Sequence, residues 1–339
     1  MNLENKIRLS LVVGGRNDNY GETFSQRFQM LLRYLSSIDD ELKKKIELIV
    51  VEWNPPQYAT SLSDAMDWSG LENVRIITVP PDVHADIPNP GKMPMLEFFA
   101  KNVGVRRASG DWIVSMNPDI VLSPELLDFA VNGQLNPECF YRADRYDFNP
   151  DAVFTVAGPN IFKQSLNSVF EAHTRPTPDP CEEISWSVEP GSAPDSWRQS
   201  CGYFEDKLGP RGDIIECCRQ TGRFTGLHTN ASGDFVMASR DAWSTVRGHW
   251  ERTDTFTHLD GLLTAHFMGA GYLQQIVLRP YMVLHMDHSR EEQKARPRQA
   301  IELVVAEIAS AAAGKLPNPN GAGWGLGDIA LPETSPVRD

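Results

Sequence analysis

The 339-residue sequence has few cysteines, no long apolar run and no excess of basic residues. Its five cysteines are an odd number and include the adjacent pair Cys217 and Cys218, which favours neither a disulfide framework nor the CxxC spacing of a zinc site. No segment approaches the roughly 18 consecutive apolar residues of a membrane span, and the opening MNLENKIRLS lacks the apolar core of a signal peptide. We therefore expect a reduced cytoplasmic protein without a membrane span, with peripheral contact to the inner face of a membrane left open.

The charge balance is acidic. There are 45 acidic and 32 basic residues, which give a formal net charge of −13. This argues against a nucleic-acid partner, because binding to a phosphate backbone needs a basic surface. The 41% hydrophobic and 23% charged residues are typical of a globular protein that buries a full core.

Short apolar runs alternate with helical patterns through the first half of the chain. The predicted strands are 7–15, 45–53, 74–80 and 111–116, and the predicted helices are 22–38 and 95–109. Strands separated by helices predict an α/β fold with a mostly parallel sheet flanked by helices. In such a sheet, ligands bind beyond the carboxyl ends of the strands.

The second half is less regular. Residues 163–225 are rich in Pro, Gly, Asp and Trp and have little periodicity, and three aromatic residues, Trp186, Trp197 and Tyr203, favour an ordered, substrate-facing insertion. The predicted elements beyond it are a strand and helix in 233–246, a helix in 259–271, a strand pair in 273–289 and a helix in 298–314. The last 25 residues are rich in Gly and Pro and are interpreted as a tail or as a lid over a site.

The stretch SMNPDIVLSPELL, residues 115–127, breaks an apolar strand with Asn117, Pro118 and Asp119. A carboxylate two residues from another oxygen ligand can hold Mg²⁺ or Mn²⁺ against a diphosphate. The same three residues also favour a simple turn, because Asn, Pro and Asp are common turn residues. The break therefore predicts either a metal-binding turn or a structural one.

Three segments follow one another in the first half: a strand into VVGGRND, a strand into IVVEWNPP, and AKNVGVRRASGDWIVSMNPDIVLSPELL. Their order resembles the GT-A glycosyltransferases, particularly those of family 2, and the resemblance covers residues 7–130 well and 227–290 loosely. It implies a GT-A, Rossmann-like fold in three parts. These are a nucleotide-sugar-binding half (1–130), an acceptor-binding and catalytic half with the insertion (131–297), and a C-terminal helix with a tail (298–339).

The resemblance also implies a donor site for a nucleoside-diphosphate sugar, with a UDP-sugar expected, and Mn²⁺ or Mg²⁺ as cofactor. Asn117-Pro118-Asp119 matches the family's Asp-x-Asp motif, and the Asn leaves Asp119 as the main metal ligand. A late histidine, His285 or His288, would add to the metal or the diphosphate. The residues that would bind the donor are Gly14, Arg16, Asp18, Glu52, Asn102, Arg106 and Asn117.

For the catalytic base, the resemblance indicates Asp260, with Asp234 of the GDF turn as the next candidate. The family's usual paired acid is replaced by Leu259. Asp260 is equally compatible with a helix N-cap and Asp234 with an ordinary turn. A base in this place would take the proton of the acceptor hydroxyl as it attacks the sugar.

The resulting hypothesis is an inverting, metal-dependent glycosyltransferase that moves one sugar to a saccharide, glycolipid or other hydroxyl acceptor, in polysaccharide or glycoconjugate biosynthesis. The chain lacks the Gln-x-x-Arg-Trp signature and the membrane helices of processive synthases, so a single transfer is expected. Two alternatives stay open. One is a degenerate carbohydrate- or nucleotide-sugar-binding protein on the same scaffold, and the less favoured one is a sugar nucleotidylyltransferase.

Overall fold

The computed structural model describes most of the chain outside the predicted insertion. The described residues are 6–89, 92–174, 184–187, 227–229, 231–253, 258–277, 279–288, 307–308, 310–311, 314–315 and 320–336. Most of the predicted insertion at 163–225 and most of the predicted helix at 298–314 therefore lie outside the described residues. In the part of the chain that is described, no helix has the length and apolar character needed to cross a membrane.

Strands and helices alternate through the first 132 residues, at positions close to those that the apolar patterns predict. The strands are β1 (Leu9–Gly15), β2 (Ile46–Trp53), β3 (Val74–Val79), β4 (Trp112–Met116), β5 (Ile120–Leu122), β6 (Cys139–Ala143), β7 (Arg145–Phe148), β8 (Val169–Thr174), β9 (Ile184–Ser187), β10 (Phe235–Ser239), β11 (Leu273–Val277), β12 (Val283–Met286) and β13 (Glu333–Thr334). The helices are α1 (Phe24–Ser36), α2 (Asp40–Lys43), α3 (Leu62–Ala65), α4 (Pro81–Ala85), α5 (Glu97–Arg107), α6 (Pro124–Asn132), α7 (Ile161–Asn167), α8 (Arg240–Val246) and α9 (Leu259–Gly269).

An eight-stranded sheet with the order β11-β6-β10-β4-β1-β2-β3-β13 forms the centre of the fold. Four of its seven neighbouring pairs run parallel, including the consecutive set β4-β1-β2-β3. The predicted α/β fold with a mostly parallel sheet is confirmed. Because β1, β2 and β4 run in the same direction, the residues that follow them lie along one edge of the sheet.

Both faces of this sheet are covered by apolar side chains. Leu11 and Val13 of β1 share one core with the stripe of α1, and Val12 faces the opposite core with Val103 of α5. The helix α5 lies so close to the sheet that a Cβ atom on Gly104 would come within 2.4 Å of Val12 Cγ1. Glycine at this position therefore allows the close contact of α5 with the strands that carry the site.

A second, five-stranded sheet has the order β5-β12-β7-β8-β9. The predicted strand pair within 273–289 is wrong: β11 joins the first sheet beside β6, whereas β12 joins the second between β5 and β7. A continuous apolar pattern does not reveal that its two strands belong to different sheets. The break at Asn117, Pro118 and Asp119 is the point where the chain leaves β4 and enters β5 of the second sheet.

The described part of the C-terminal tail packs on α5 and on the edge of the first sheet. β13 pairs antiparallel with β3, and Glu333 forms an ion pair of 2.6 Å with Arg75. The Arg107 guanidinium donates to the carbonyls of Gly325, Leu326 and Ile329 at 2.6, 2.8 and 3.1 Å. These contacts attach the described part of the tail to α5 and β3.

Candidate functional site

Three predicted metal ligands meet where the two sheets join. Asp119 lies just before β5, His285 is on β12, and His288 follows the same strand by two residues. Their ligand atoms all lie within 4.8 Å of one another. The Nε2 atoms of His288 and His285 are 3.3 and 3.9 Å from Oδ2 of Asp119.

The strand register brings these residues together. β12 runs antiparallel to β5, with His285 opposite Ile120, and the amide of Met286 donates to the carbonyl of Asp119 at 3.0 Å. On its other side β12 runs parallel to β7, which places His285 opposite Asp147. The Nδ1 atom of His285 lies 3.2 Å from Oδ1 of Asp147.

The donor set fits a divalent cation. Asp119 is 6% exposed, and its Oδ1 accepts no hydrogen bond from any residue that the structure describes. A buried carboxylate oxygen without a donor is costly, and a cation would satisfy it. One carboxylate and two imidazoles suit Mn²⁺ better than Mg²⁺, which prefers oxygen ligands.

A buried arginine already faces the carboxylate of Asp119. Arg27 of α1 is 1% exposed, and its Nε lies 3.4 Å from Oδ2 of Asp119. Its Nη1 donates to the Thr23 hydroxyl and its Nη2 to the Tyr20 carbonyl, at 2.7 and 3.1 Å. Arg27 therefore holds the loop between β1 and α1 against the cluster, where the Tyr20 ring packs edge-on to His288 at 5.4 Å.

Asn117 makes hydrogen bonds to two other side chains. Its Oδ1 accepts from Nζ of Lys101 at 2.6 Å, and its Nδ2 donates to Oδ1 of Asp234 at 2.7 Å. Lys101 is fully buried on α5 and also donates to Glu97 Oε1 and to the Gly233 carbonyl. Asn117 therefore ties the turn after β4 to the turn before β10, with its carbonyl oxygen already accepting from an ammonium group.

Asp234 is a buried structural carboxylate in this arrangement. Its Oδ1 accepts from Asn117, and its Oδ2 lies 2.6 Å from Nη1 of Arg145. Burial alone would raise the pKa of Asp234, but the charges of Arg145 and His285 and the hydrogen bond from Arg145 outweigh burial and lower the pKa. A carboxylate with a lowered pKa and two engaged oxygens is a poor proton acceptor.

Asp260 lies in the first turn of α9 and is half-buried. Its Oδ2 accepts from the amide of Gly233 at 2.8 Å, and among the described residues Gly233 is its only hydrogen-bond donor. A Cβ atom on Gly233 would lie 3.4 Å from that oxygen, so the turn approaches the carboxylate closely. Asp260 is thus placed beside the turn that carries Asp234, with its second oxygen available.

The residues predicted after β1 and β2 form a neighbouring group. Arg16 lies 2.5 Å from Oδ2 of Asp18 and donates to the Asn54 carbonyl at 2.8 Å, which links the ends of the two strands. Glu52 is buried opposite Gly15, and its Oε1 accepts from the Leu62 amide at 2.7 Å. Burial raises the pKa of Glu52. Gly14, also predicted, is buried at the end of β1.

Asn102 and Arg106 contact other parts of the chain. Asn102 is fully buried, accepts from the His249 amide at 2.7 Å and donates to the His249 carbonyl and to Glu251. Arg106 donates to the Ala322 and Trp324 carbonyls and stacks on the Trp324 ring. It lies five residues, or about 7.5 Å along the helix axis, beyond Lys101. The structure therefore does not bring these two side chains to the cluster.

Sequence reasoning missed Arg27, Lys101, Arg145 and Asp147. Arg27 lies on the apolar stripe of α1, beside Phe28 in the sequence. A charged residue is rarely buried in such a stripe unless it is paired. The segment RADRYDF, residues 142–148, has four charged residues in or between two buried strands. Charges in such positions must be paired, so both patterns indicate partners elsewhere in the fold.

No protein-family model matches the sequence, and no curated protein sequence matches it. Among solved structures, the chain is similar to the mannosyltransferase PcManGT from Pyrobaculum calidifontis in complex with GDP-Man and Mn²⁺. The two chains are 14% identical, with coverage of 95% of this chain and 72% of that one and a TM-score of 0.42. It is also similar to TarS from S. aureus, with 13% identity, coverage of 83% of this chain and 37% of that one, and a TM-score of 0.45. The chain thus spans little more than a third of TarS.

Proposed function

We propose that the protein is a glycosyltransferase that moves one sugar from a nucleoside-diphosphate sugar to an acceptor hydroxyl and depends on a divalent metal. The observation that carries this proposal is the meeting of Asp119, His285 and His288 at the carboxyl end of β4. The nucleotide-binding candidates after β1 and β2 lie along the same edge, and an available carboxylate, Asp260, lies across the Gly233 turn. The residues proposed to bind the donor, to bind the metal and to act as base thus lie along one edge of the sheet, which supports the proposal.

Asp119, His285 and His288 would hold the metal, which when bound would neutralise charge on the departing diphosphate. Arg27 adds a permanent positive charge on the same side. Arg16, Asp18 and Glu52 would contact the nucleoside, with UDP as the expected nucleotide. Asn117 keeps the two turns that border the donor at a fixed distance, through Lys101 and Asp234.

Asp260 is the base in this proposal. It takes the proton of the acceptor hydroxyl while that oxygen forms a bond to the anomeric carbon. The bond from that carbon to the diphosphate oxygen breaks, and the diphosphate leaves with the electron pair. Attack from the face opposite the leaving group inverts the anomeric centre, so a single base fits an inverting transfer. We propose that the transfer is non-processive, because the chain lacks the Gln-x-x-Arg-Trp signature, and that the acceptor is a saccharide, glycolipid or other hydroxyl compound.

The test is the release of nucleoside diphosphate from a panel of UDP- and GDP-sugars with Mn²⁺, with Mg²⁺ and with EDTA. The proposal predicts release from one nucleotide class that needs the metal and increases with an acceptor sugar. Binding of a nucleotide sugar with no release under any condition would instead support a binding protein on this scaffold. The ion pair of Asp119 with Arg27 and the engaged Asn117 are the features that favour that second candidate.

A further inference from the structure

The carboxylate of Asp147 contacts the far side of the His285 ring. On adjacent strands, His285 Nδ1 lies 3.2 Å from Oδ1 of Asp147, and His285 Nε2 points toward Asp119. An ionised carboxylate only accepts hydrogen bonds, so the proton of a neutral His285 belongs on Nδ1. This leaves the lone pair of Nε2 on the side of Asp119 and His288.

Asp147 is itself held firmly and ionised. It is 3% exposed, Arg145 Nε lies 2.8 Å from Oδ1, and Arg145 Nη2 donates to Oδ2 at 3.1 Å. His173 Nε2 lies 3.0 Å from the same Oδ2. A buried guanidinium and two imidazoles thus surround the carboxylate of Asp147.

A separate metal site at Asp147, Glu171 and His173 is a weaker interpretation of the same residues. Their ligand atoms also lie within 4.8 Å of one another. However, both oxygens of Asp147 are already contacted by Arg145 and the two histidines. A carboxylate in this state supports its neighbours better than it binds an ion.

We propose that Asp147 is a positioning residue for the metal site, which fixes the tautomer and ring orientation of His285 so that Nε2 faces the ion bound by Asp119. The proposal rests on the metal-dependent function proposed above. Outer carboxylates of this kind typically change metal affinity by about 10–100-fold when they are removed. Arg145 extends the support, since it contacts Asp147 and Asp234 with the two ends of one guanidinium.

The experiment is a calorimetric titration of the full chain with Mn²⁺ alone, without nucleotide. The variants are Asp147→Asn, His285→Ala, the double variant, and Glu171→Gln as a control, because Glu171 approaches His173 at 3.7 Å. Asp147→Asn should weaken Mn²⁺ binding about 10–100-fold, and Glu171→Gln should not. If Asp147 acts through His285, the double variant should bind no more weakly than His285→Ala.

A second readout needs no metal. Nitrogen-detected NMR of histidine-labelled, metal-free protein should show the proton of His285 on Nδ1 in the wild type and a mixture of tautomers in Asp147→Asn, since an amide can donate or accept. Far-ultraviolet circular dichroism shows that each variant is folded. Wild-type affinity in Asp147→Asn, or additive losses in the double variant, would overturn the positioning role. A wild-type protein that binds no Mn²⁺ would instead remove the metal from the proposed function, whatever the tautomer.

Discussion

The Nη1 atom of Arg145 on β7 lies 2.6 Å from Oδ2 of Asp234, and this contact joins the second sheet to the turn that precedes β10. Both groups are buried, and Asn117 occupies the other oxygen of Asp234. This contact gives different surroundings to the two candidate bases, Asp234 and Asp260. Asp234 has both oxygens engaged, whereas Asp260, which accepts from the Gly233 amide with one oxygen, is half-buried and has its second oxygen without a hydrogen bond from the described residues.

This difference predicts different effects of two isosteric substitutions. Asp260→Asn should leave donor binding and stability unchanged and lower turnover about 10²–10⁴-fold, the range for loss of a general base. Asp234→Asn should lower the free energy of unfolding by about 3–5 kcal/mol, because the Arg145 guanidinium would stay buried with one partner fewer. Steady-state kinetics and urea unfolding measure the two effects.

Asp241→Asn is a matched control for this pair, because Asp241 is an exposed aspartate in the first turn of α8. It should change neither turnover nor stability. An Asp260→Asn enzyme with normal turnover, together with a stable and inactive Asp234→Asn enzyme, would reverse the assignment of the base.

Arg27 predicts a link between metal binding and stability. Arg27→Met removes the buried cation beside Asp119 and should destabilise the metal-free protein by about 3–5 kcal/mol. Mn²⁺ should then restore more stability to the variant than it adds to the wild type, because it supplies the missing positive charge and binds only the native state. Urea unfolding with and without Mn²⁺ measures this difference.

The control is Arg33→Met on the same helix, since Arg33 donates to the Phe154 carbonyl rather than to Asp119. The stability that Mn²⁺ adds to Arg33→Met should equal the stability that it adds to the wild type. If Mn²⁺ adds the same stability to the wild type, Arg27→Met and Arg33→Met, Arg27 and the ion do not share a site.

A buried histidine outside the site predicts a dependence of stability on pH. Burial lowers the pKa of His266 on α9 from 6.5 to about 4. Between these values the unfolded chain binds a proton that the folded protein excludes, so stability is fully present above pH 6.5 and falls as the pH decreases toward 4. The loss from His266 between pH 7 and pH 5 should be about 2 kcal/mol.

His266→Leu should reduce this pH dependence. Part of it should remain, because burial also lowers the pKa of His249. Urea unfolding of both proteins at pH 7 and pH 5 measures the change, and an identical loss of stability in the two proteins would mean that folding does not lower the pKa of His266.

The tail contacts predict that residues 320–336 can be released without loss of the site. Arg107→Leu removes the donor to three tail carbonyls and should make the tail more sensitive to limited proteolysis. Mn²⁺ affinity should stay at the wild-type value, because Arg107 contacts none of the proposed ligands. Loss of Mn²⁺ binding in this variant would point to a closer connection between the tail and the cluster.

Local sequence patterns were enough to predict the four parallel strands β1 to β4 of the first sheet and the edge at which they end. Buried parallel strands such as β1 and β2 are continuous apolar runs, so their ends, and with them Asp18, Glu52 and Asp119, could be placed on one side. The pairing of β12 between β5 and β7 is a long-range register that no local pattern contains. For that reason Asp147 and Arg145 were missed, although the strand that carries them is conspicuously charged.

The resemblance predicted Asn102 and Arg106 at the donor, and in the structure both side chains bond to other parts of the chain. Asn102 and Arg106 match a stretch expected at the donor. The direction in which their side chains point depends on which face of α5 is buried. The side-chain amide of Asn102 forms hydrogen bonds with the backbone of His249, and the guanidinium of Arg106 donates to the Trp324 carbonyl of the tail. Both partners are distant in sequence, so the motif alone could not show that these polar groups were already satisfied.

The most direct measurement is a calorimetric titration of UDP and of GDP into the wild type and into Asp119→Asn, each with Mn²⁺ and with EDTA. One nucleotide should bind the wild type in Mn²⁺, and this binding should be lost in EDTA and in Asp119→Asn. The control Asp128→Asn, on the exposed side of α6, should bind like the wild type. Nucleotide binding that is equal in Mn²⁺ and EDTA, and unchanged in Asp119→Asn, would contradict a metal-dependent donor site at the cluster.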